Sequence, residues 1–287
     1  MARPFERAGG PTLKETNMAI ITKGKQFAGA HWYTGDGHPA HEQFRNDDRG
    51  TRPTTIKDAR SLHLYPSVTS ILGVFAKPGL ENWKIKQAIA AAGTIPRQPA
   101  ESVEYWTQRV MDAAFAQVEA AADLGTGIHN ALDLSFDNQP FEPQYDPYVR
   151  PVLDWINTTG LTFTARELVL VNKAEGYAGR VDALFTFGKR GVGVIDWKTR
   201  KTKPGEKATP YDGQGMQLAA YAAAHYGAKA LPQVLAANVF ISTTEPGRME
   251  VCKHDNLPEL YETFVHACAI WRALKGYDPR EGHGAAG

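Results

Sequence analysis

Between Gly179 and Thr199 the chain reads GRVDALFTFGKRGVGVIDWKT, two apolar-rich runs on either side of the turn-like Gly188-Lys189-Arg190-Gly191. Short apolar runs bounded by glycine predict paired strands, here over 177–187 and 192–198. Side chains alternate faces along a strand, so Asp196 and Lys198 share one face while Trp197 points away. Val192 and Val194 continue the Asp196 face, and on the first strand Val181 and Ala183 oppose Asp182. The fourteen residues from Asp182 to Asp196 are a span that an antiparallel hairpin can close, with both acids near one end.

The neighbouring sequence sets this hairpin in a larger sheet. Further strands are expected at 162–171, 234–242 and 248–253. Helices are expected at 147–158 (closed by Gly160), at 213–226, and at 258–275 with Pro258 in a first-turn position that tolerates proline. Helix, three strands, helix and strand is an α/β order with a mixed sheet. The N-terminal half reads as helical. Ser67 is a plausible N-cap for a helix that Pro78 breaks, and a second helix begins near Leu80. The longest helical signal is 101–124, and a shorter helix carrying His129 is expected after Gly125-Thr126-Gly127. Residues 21–64 read as loop-dominated, with a hairpin near Gly35-Asp36-Gly37; His31, His38 and His41 invite a metal reading but read better as solvated loop histidines. Residues 1–17 are expected to be mobile, with Met18 a possible start. The resulting division is a flexible or loop-rich arm (1–64), a helical region packing on the core (65–145), a core carrying the acids (146–277) and a disordered tail (278–287).

Composition excludes several classes. With 43% hydrophobic residues in 287, the chain is not globally disordered. A formal charge of +1 does not suit general adhesion to nucleic acid, so any such surface must be a local patch. Cys252 and Cys268 form no CxxC pair, which argues against zinc or an iron-sulfur cluster and suits a reducing cytosol. No apolar run is long enough to span a bilayer, and no signal-peptide core is visible, so no membrane association is expected. No G-x-x-x-x-G-K-[ST] loop is present, and no nucleotide cofactor is expected.

Two carboxylates and a lysine at the end of a hairpin suit magnesium-assisted phosphodiester hydrolysis. Mg2+ takes oxygen ligands, commonly one or two carboxylates plus substrate phosphate. Asp182 and Asp196 supply the carboxylates, and the Trp197 carbonyl can add a third oxygen; Mn2+ can substitute. Lys198 would orient the attacking hydroxide or stabilise charge on the phosphorus centre. A bare D-x-K also reads as a surface ion pair. Two features favour the chemical reading: glycines at 176 and 179, where backbone passes close to something, and Gln217 with Tyr221 on one helix face. Those two suit hydrogen bonds to a phosphate or to the lysine. Downstream, Arg200, Lys201, Lys203 and Lys207 form a flexible basic loop able to hold phosphates without reading sequence. Trp83, Tyr105 and Trp106 in the helical half could stack the bases of a single strand, but aromatics at helical spacing more often read as core.

The run G-R-V-D, then I-D-W-K-T, then Q-L-A-A-Y, resembles the RecB-like branch of the PD-(D/E)xK nuclease superfamily over residues 125–225. PSVTSIL at 66–72 is more loosely similar to stand-alone phage and mitochondrial-type exonucleases of that group. The resemblance implies a restriction-endonuclease-like core, a mixed central sheet flanked by helices. It implies that His129, in G-T-G-I-H, completes the metal shell. It also implies that an acid such as Glu167, sharing a face with Val169 and Val171, touches a second metal or a water. The four cysteines that hold an iron-sulfur cluster in some relatives are absent from this sequence.

The expectation is therefore a Mg2+-dependent DNA exonuclease acting without sequence preference in recombination, repair or replication, cytoplasmic in a bacterial or phage-infected cell. Its substrates would be DNA ends, single-stranded or resected, and a recombinase or single-strand-binding protein is a possible partner. The rivals are a structure-specific endonuclease, a non-catalytic DNA-end-binding recombination partner, and an unrelated α/β binding module.

Overall fold

A computed structural model describes residues 31–45 and 50–281 of the chain. The expectations for residues 1–17 and for a start at Met18 lie outside the described residues. The segment expected to be loop-dominated is more structured than that. Strands β1 (Trp32–Tyr33), β2 (Glu42–Phe44) and β3 (Thr51–Pro53) precede helix α1 (Ile56–Leu62), and β4 (Tyr65–Pro66) follows. β1 pairs with β4 and β2 with β3, all antiparallel. Thr55 and Asp58 close a reciprocal capping box at the start of α1. The hairpin near Asp36 is present, with Gly37 N–H bonded to the Thr34 carbonyl.

Ser67 caps α2 (Val68–Leu72) as expected, and α3 (Pro78–Thr94) starts on Pro78 itself. Proline breaks the first helix and opens the second, because its missing N–H costs nothing at a helix start. Helix α4 runs unbroken from Val103 to Phe136, through the Gly125-Thr126-Gly127 step where a break was expected. Close packing explains those glycines: a Cβ at Gly125 would lie 2.8 Å from Thr199 Oγ1, and one at Gly127 would collide with the Tyr145 hydroxyl. The residues are small to admit neighbours, not to end the helix. Trp106 donates to the Ile95 carbonyl at 2.7 Å, joining α3 to α4. Trp83 and Tyr105, expected in the core, stand exposed.

Helix α5 (Asp146–Thr159) ends at Gly160 with φ of +69°, a left-handed cap that glycine adopts without strain. Then follow β5 (Thr162–Asn172), β6 (Tyr177–Thr186), β7 (Val192–Arg200), α6 (Gln214–Tyr226), β8 (Val234–Ser242), β9 (Met249–Lys253) and α7 (Leu257–Lys275). The five strands form one sheet in the order β5-β6-β7-β8-β9, with β7 and β8 parallel and the other pairs antiparallel. The architecture is α/β with a mixed central sheet. On one face α2, α6 and α7 bury Leu184, Val194, Leu218, Phe264 and Trp271. On the other, α4 and α5 bury Ile128, Leu132, Val152, Ile195 and Trp197. Helix α6 is buried along most of its length, which its alanine-rich, all-round apolar sequence permits.

The tail expected to be disordered from 278 is described to 281, where Asp278 pairs with Arg280 at 2.6 Å and with Arg272 of α7 at 3.7 Å. Among the described residues no helix is long and apolar enough to cross a membrane.

Candidate active site

The sheet forks where the acids sit. β6 and β7 pair only over Ala183–Thr186 and Val192–Ile195. Beyond Ile195, β7 continues beside β8 as far as Arg200, while 177–181 of β6 stays with β5. The backbone N–H of Trp197 thus loses its strand partner, and the Asp182 carboxylate replaces it, accepting through Oδ2 at 2.7 Å. A buried N–H needs some acceptor, and here a carboxylate is drawn into the fork to provide one. The far end of the fork is occupied by Ser67, which bridges to Ala178 in parallel.

β5 is distorted at the same level. Glu167, which the register places opposite Asp182, is missing from the ladder between the Arg166–Ala183 and Leu168–Val181 pairs, and its φ is +48°. A glutamate in the left-handed region is strained, and such strain concentrates at functional sites. Glu167 accepts an ion pair from Arg180 Nε at 2.8 Å, and burial raises its pKa above the ordinary carboxylate value. It is therefore paired rather than a free edge residue, and its charge is among those that raise the Asp182 pKa.

Asp196 is almost completely buried, at 1% exposure. Its carboxylate accepts from Lys198 Nζ at 2.7 Å and, through Oδ2, from Asn238 Nδ2 at 2.8 Å. The shared face expected for Asp196 and Lys198 is present, and Trp197 lies on the other face against Phe136 and Phe163. Burial, with the Asp196 charge added to it, pushes the Asp182 carboxyl well above its ordinary range, partly offset by Lys198 and the Trp197 N–H. Burial alone would lower the Lys198 pKa, but the two carboxylates outweigh it and hold the ammonium above its ordinary value. The site is therefore two crowded acids sharing one firmly protonated lysine.

His129 on α4 comes within electrostatic range of Lys198 and Asp196, and burial, helped by the lysine and opposed by Asp196 and Asp133, lowers its pKa. Among the described residues no three His, Cys, Asp or Glu side chains gather as a metal-binding group. The structure thus does not join His129 or Glu167 to the two aspartates as one ready-made ligand set.

Gln217 and Tyr221 lie on one face of α6 as their spacing requires. They bond to each other, Gln217 Nε2 donating to the Tyr221 hydroxyl at 3.2 Å, and not to Lys198. Burial raises the pKa of the Tyr221 phenol, with Asp196 and Asp182 adding to the effect. Its ring lies under Gly179, where a Cβ would come within 2.7 Å of Cε1, which accounts for that glycine.

The loop after β7 is basic but not free. Arg200 donates to the Thr209 carbonyl at 2.5 Å and stacks 4.8 Å from the Tyr211 ring, so it is engaged internally. Arg248 holds the Lys203 carbonyl at 2.9 Å, Glu250 accepts from the Ala208 N–H at 3.0 Å, and Thr244 clasps both backbone groups of Thr202. The expected flexibility gives way to a pinned loop, because β8 and β9 and their turn supply partners for its backbone. Lys201, Lys203 and Lys207 remain exposed on it.

Asn238 and His254 escaped the sequence reading. Asn238 interrupts the apolar run VLAANVFIS, and a polar residue in the middle of a buried strand was the available signal. His254, just past β9, carried none.

No family model matches the chain, and no curated protein matches it. Among solved structures it is similar to the crystal structure of SSO0001, at 16% identity and a TM-score of 0.33, covering 71% of this chain and 89% of that one.

Proposed function

We propose that this chain is a Mg2+-dependent deoxyribonuclease of the RecB-like, restriction-endonuclease-like type, hydrolysing phosphodiester bonds from DNA ends without sequence specificity. One observation carries the reading: at the fork between β6 and β7 two crowded carboxylates face a single lysine that is 2.7 Å from Asp196.

The donor set fits a hard divalent cation. Asp182 and Asp196 offer carboxylate oxygens with no thiolate nearby, and Mg2+ is satisfied by one or two carboxylates completed by waters and phosphate. The Asp182 pKa is raised first by burial and then by the Asp196 charge, and a bound cation would offset both. Asp182 and Asp196 would hold the ion, with the Trp197 carbonyl as a third oxygen and His129 or Glu167 reaching it through water. When bound, the cation would neutralise phosphate charge and make a water molecule more acidic.

The remaining work falls to the chain itself. Lys198, kept protonated by its two acids, presents an ammonium at the mouth of the fork, where it binds a non-bridging phosphate oxygen and offsets charge gained during attack. Gln217 and Tyr221 support the floor beneath Gly179. Lys201, Lys203 and Lys207, on a loop whose backbone is fixed, hold flanking phosphates in a set position. A recombinase or single-strand-binding protein would receive the resected strand.

End dependence comes from the sequence resemblance, and a topological test decides it. With Mg2+, the protein is expected to degrade end-labelled linear DNA and to leave a covalently closed circle of the same sequence intact. Cutting of the circle at a comparable rate would make the enzyme an endonuclease, using the same fork on internal phosphates.

A further inference from the structure

Asn238 is the one fully buried amide on the strand beside the site, at 0% exposure in the middle of β8. The parallel register places it directly beside Asp196. Its Nδ2 donates to Asp196 Oδ2 at 2.8 Å, and its Oδ1 lies 2.8 Å from His254 Nε2. A buried amide is costly unless bonded, and its flanking residues in β8 are apolar, so packing alone gives no reason for asparagine here.

The two bonds are not independent. An asparagine amide can flip, exchanging donor and acceptor. Only one orientation presents N–H to Asp196, and it requires a proton on His254 Nε2. The ring is also held from its far side: Nδ1 lies against Gly215 in the first turn of α6, so closely that a Cβ there would be 2.8 Å away.

We propose that Asn238, its amide locked by His254, is a positioning residue that fixes the orientation of the Asp196 carboxylate toward Lys198 and the cation. The inference rests on the metal-dependent reading above. Outer-shell partners of a ligating carboxylate tune metal affinity by about 10- to 100-fold.

The test is Mn2+ binding to the full chain by calorimetry without DNA, alongside the Mg2+ concentration giving half-maximal cleavage. Asn238→Leu is expected to weaken Mn2+ binding about 10-fold or more while the melting transition is retained. His254→Phe should reproduce much of that loss. His254→Gln, whose amide can donate to Asn238 Oδ1, should restore binding to within about threefold of wild type. Wild-type affinity in folded Asn238→Leu, or equal losses in the two His254 variants, would overturn the positioning role while leaving the metal reading in place. If Asn238→Leu does not fold, the His254 pair decides alone. A wild-type protein that binds no Mn2+ would overturn the metal reading and this inference with it.

Discussion

Lys198→Ala is expected to lower the rate of Mg2+-dependent DNA cleavage by about 100- to 1,000-fold or more, with metal-free DNA binding within a few-fold of wild type. The lysine is the only cation that the described structure places on Asp196, at 2.7 Å, and its pKa is held above the ordinary value by that acid and by Asp182. Its side chain is 30% exposed, enough to reach a phosphate from the fork. Arginine is not expected to rescue the activity, because a planar, forked cation does not fill the place of a compact ammonium. The substitution also leaves Asp196 buried with only Asn238 as a partner, so the metal-free protein should melt earlier and recover with Mg2+. Single-turnover cleavage and melting curves with and without Mg2+ check both parts. Near-wild-type cleavage would remove Lys198 from the chemistry, and loss of DNA binding in parallel would recast it as a phosphate clamp.

Asp182→Asn should move activity and stability in opposite directions. Cleavage should be abolished, since a carboxylate needed for the cation is gone. The metal-free fold should gain. An acid whose folded pKa is raised binds protons more readily folded than unfolded, so its stability contribution is highest at low pH. That contribution is lost as the pH climbs from the ordinary value of 3.8 through the raised one. Asparagine carries no such charge and can still accept the Trp197 N–H. At pH 8 the variant is expected to gain about 1 kcal/mol, or about 2–4 °C in Tm, and below pH 4 the gain should vanish. Mg2+ should raise the wild-type Tm and leave the variant unmoved. A variant less stable than wild type at pH 8, or one that Mg2+ stabilises equally, would contradict this account of the fork.

Much of the sheet was legible because strand period and glycine punctuation report local geometry directly. β8 spans 234–242 as its apolar run indicated, α5 ends at Gly160, and Asp196 and Lys198 meet because two residues return a strand to the same face. Other features failed for physical reasons. Gly125 and Gly127 read as a helix break, but they are places where α4 presses on Thr199 and Tyr145, a tertiary demand that local sequence does not display. Arg200 and the loop after it read as free and basic, but their partners Thr244, Arg248 and Glu250 are remote in sequence. The left-handed turn of Glu167 and the splaying of β6 from β7 depend on strand pairing across the sheet. Asn238 matters only because the parallel register sets it beside Asp196, and no spacing rule links residues forty-two apart.

The most direct measurement is release of labelled nucleotide from linear DNA, single- and double-stranded, by the wild-type protein and by Asp196→Ala, in Mg2+ and in chelator. The account predicts release by the wild type in Mg2+ alone, and none above background from the variant at matched folding. Cleavage that survives either the chelator or the loss of Asp196 would contradict it, as would a wild type that binds DNA but cuts neither form in Mg2+ or Mn2+.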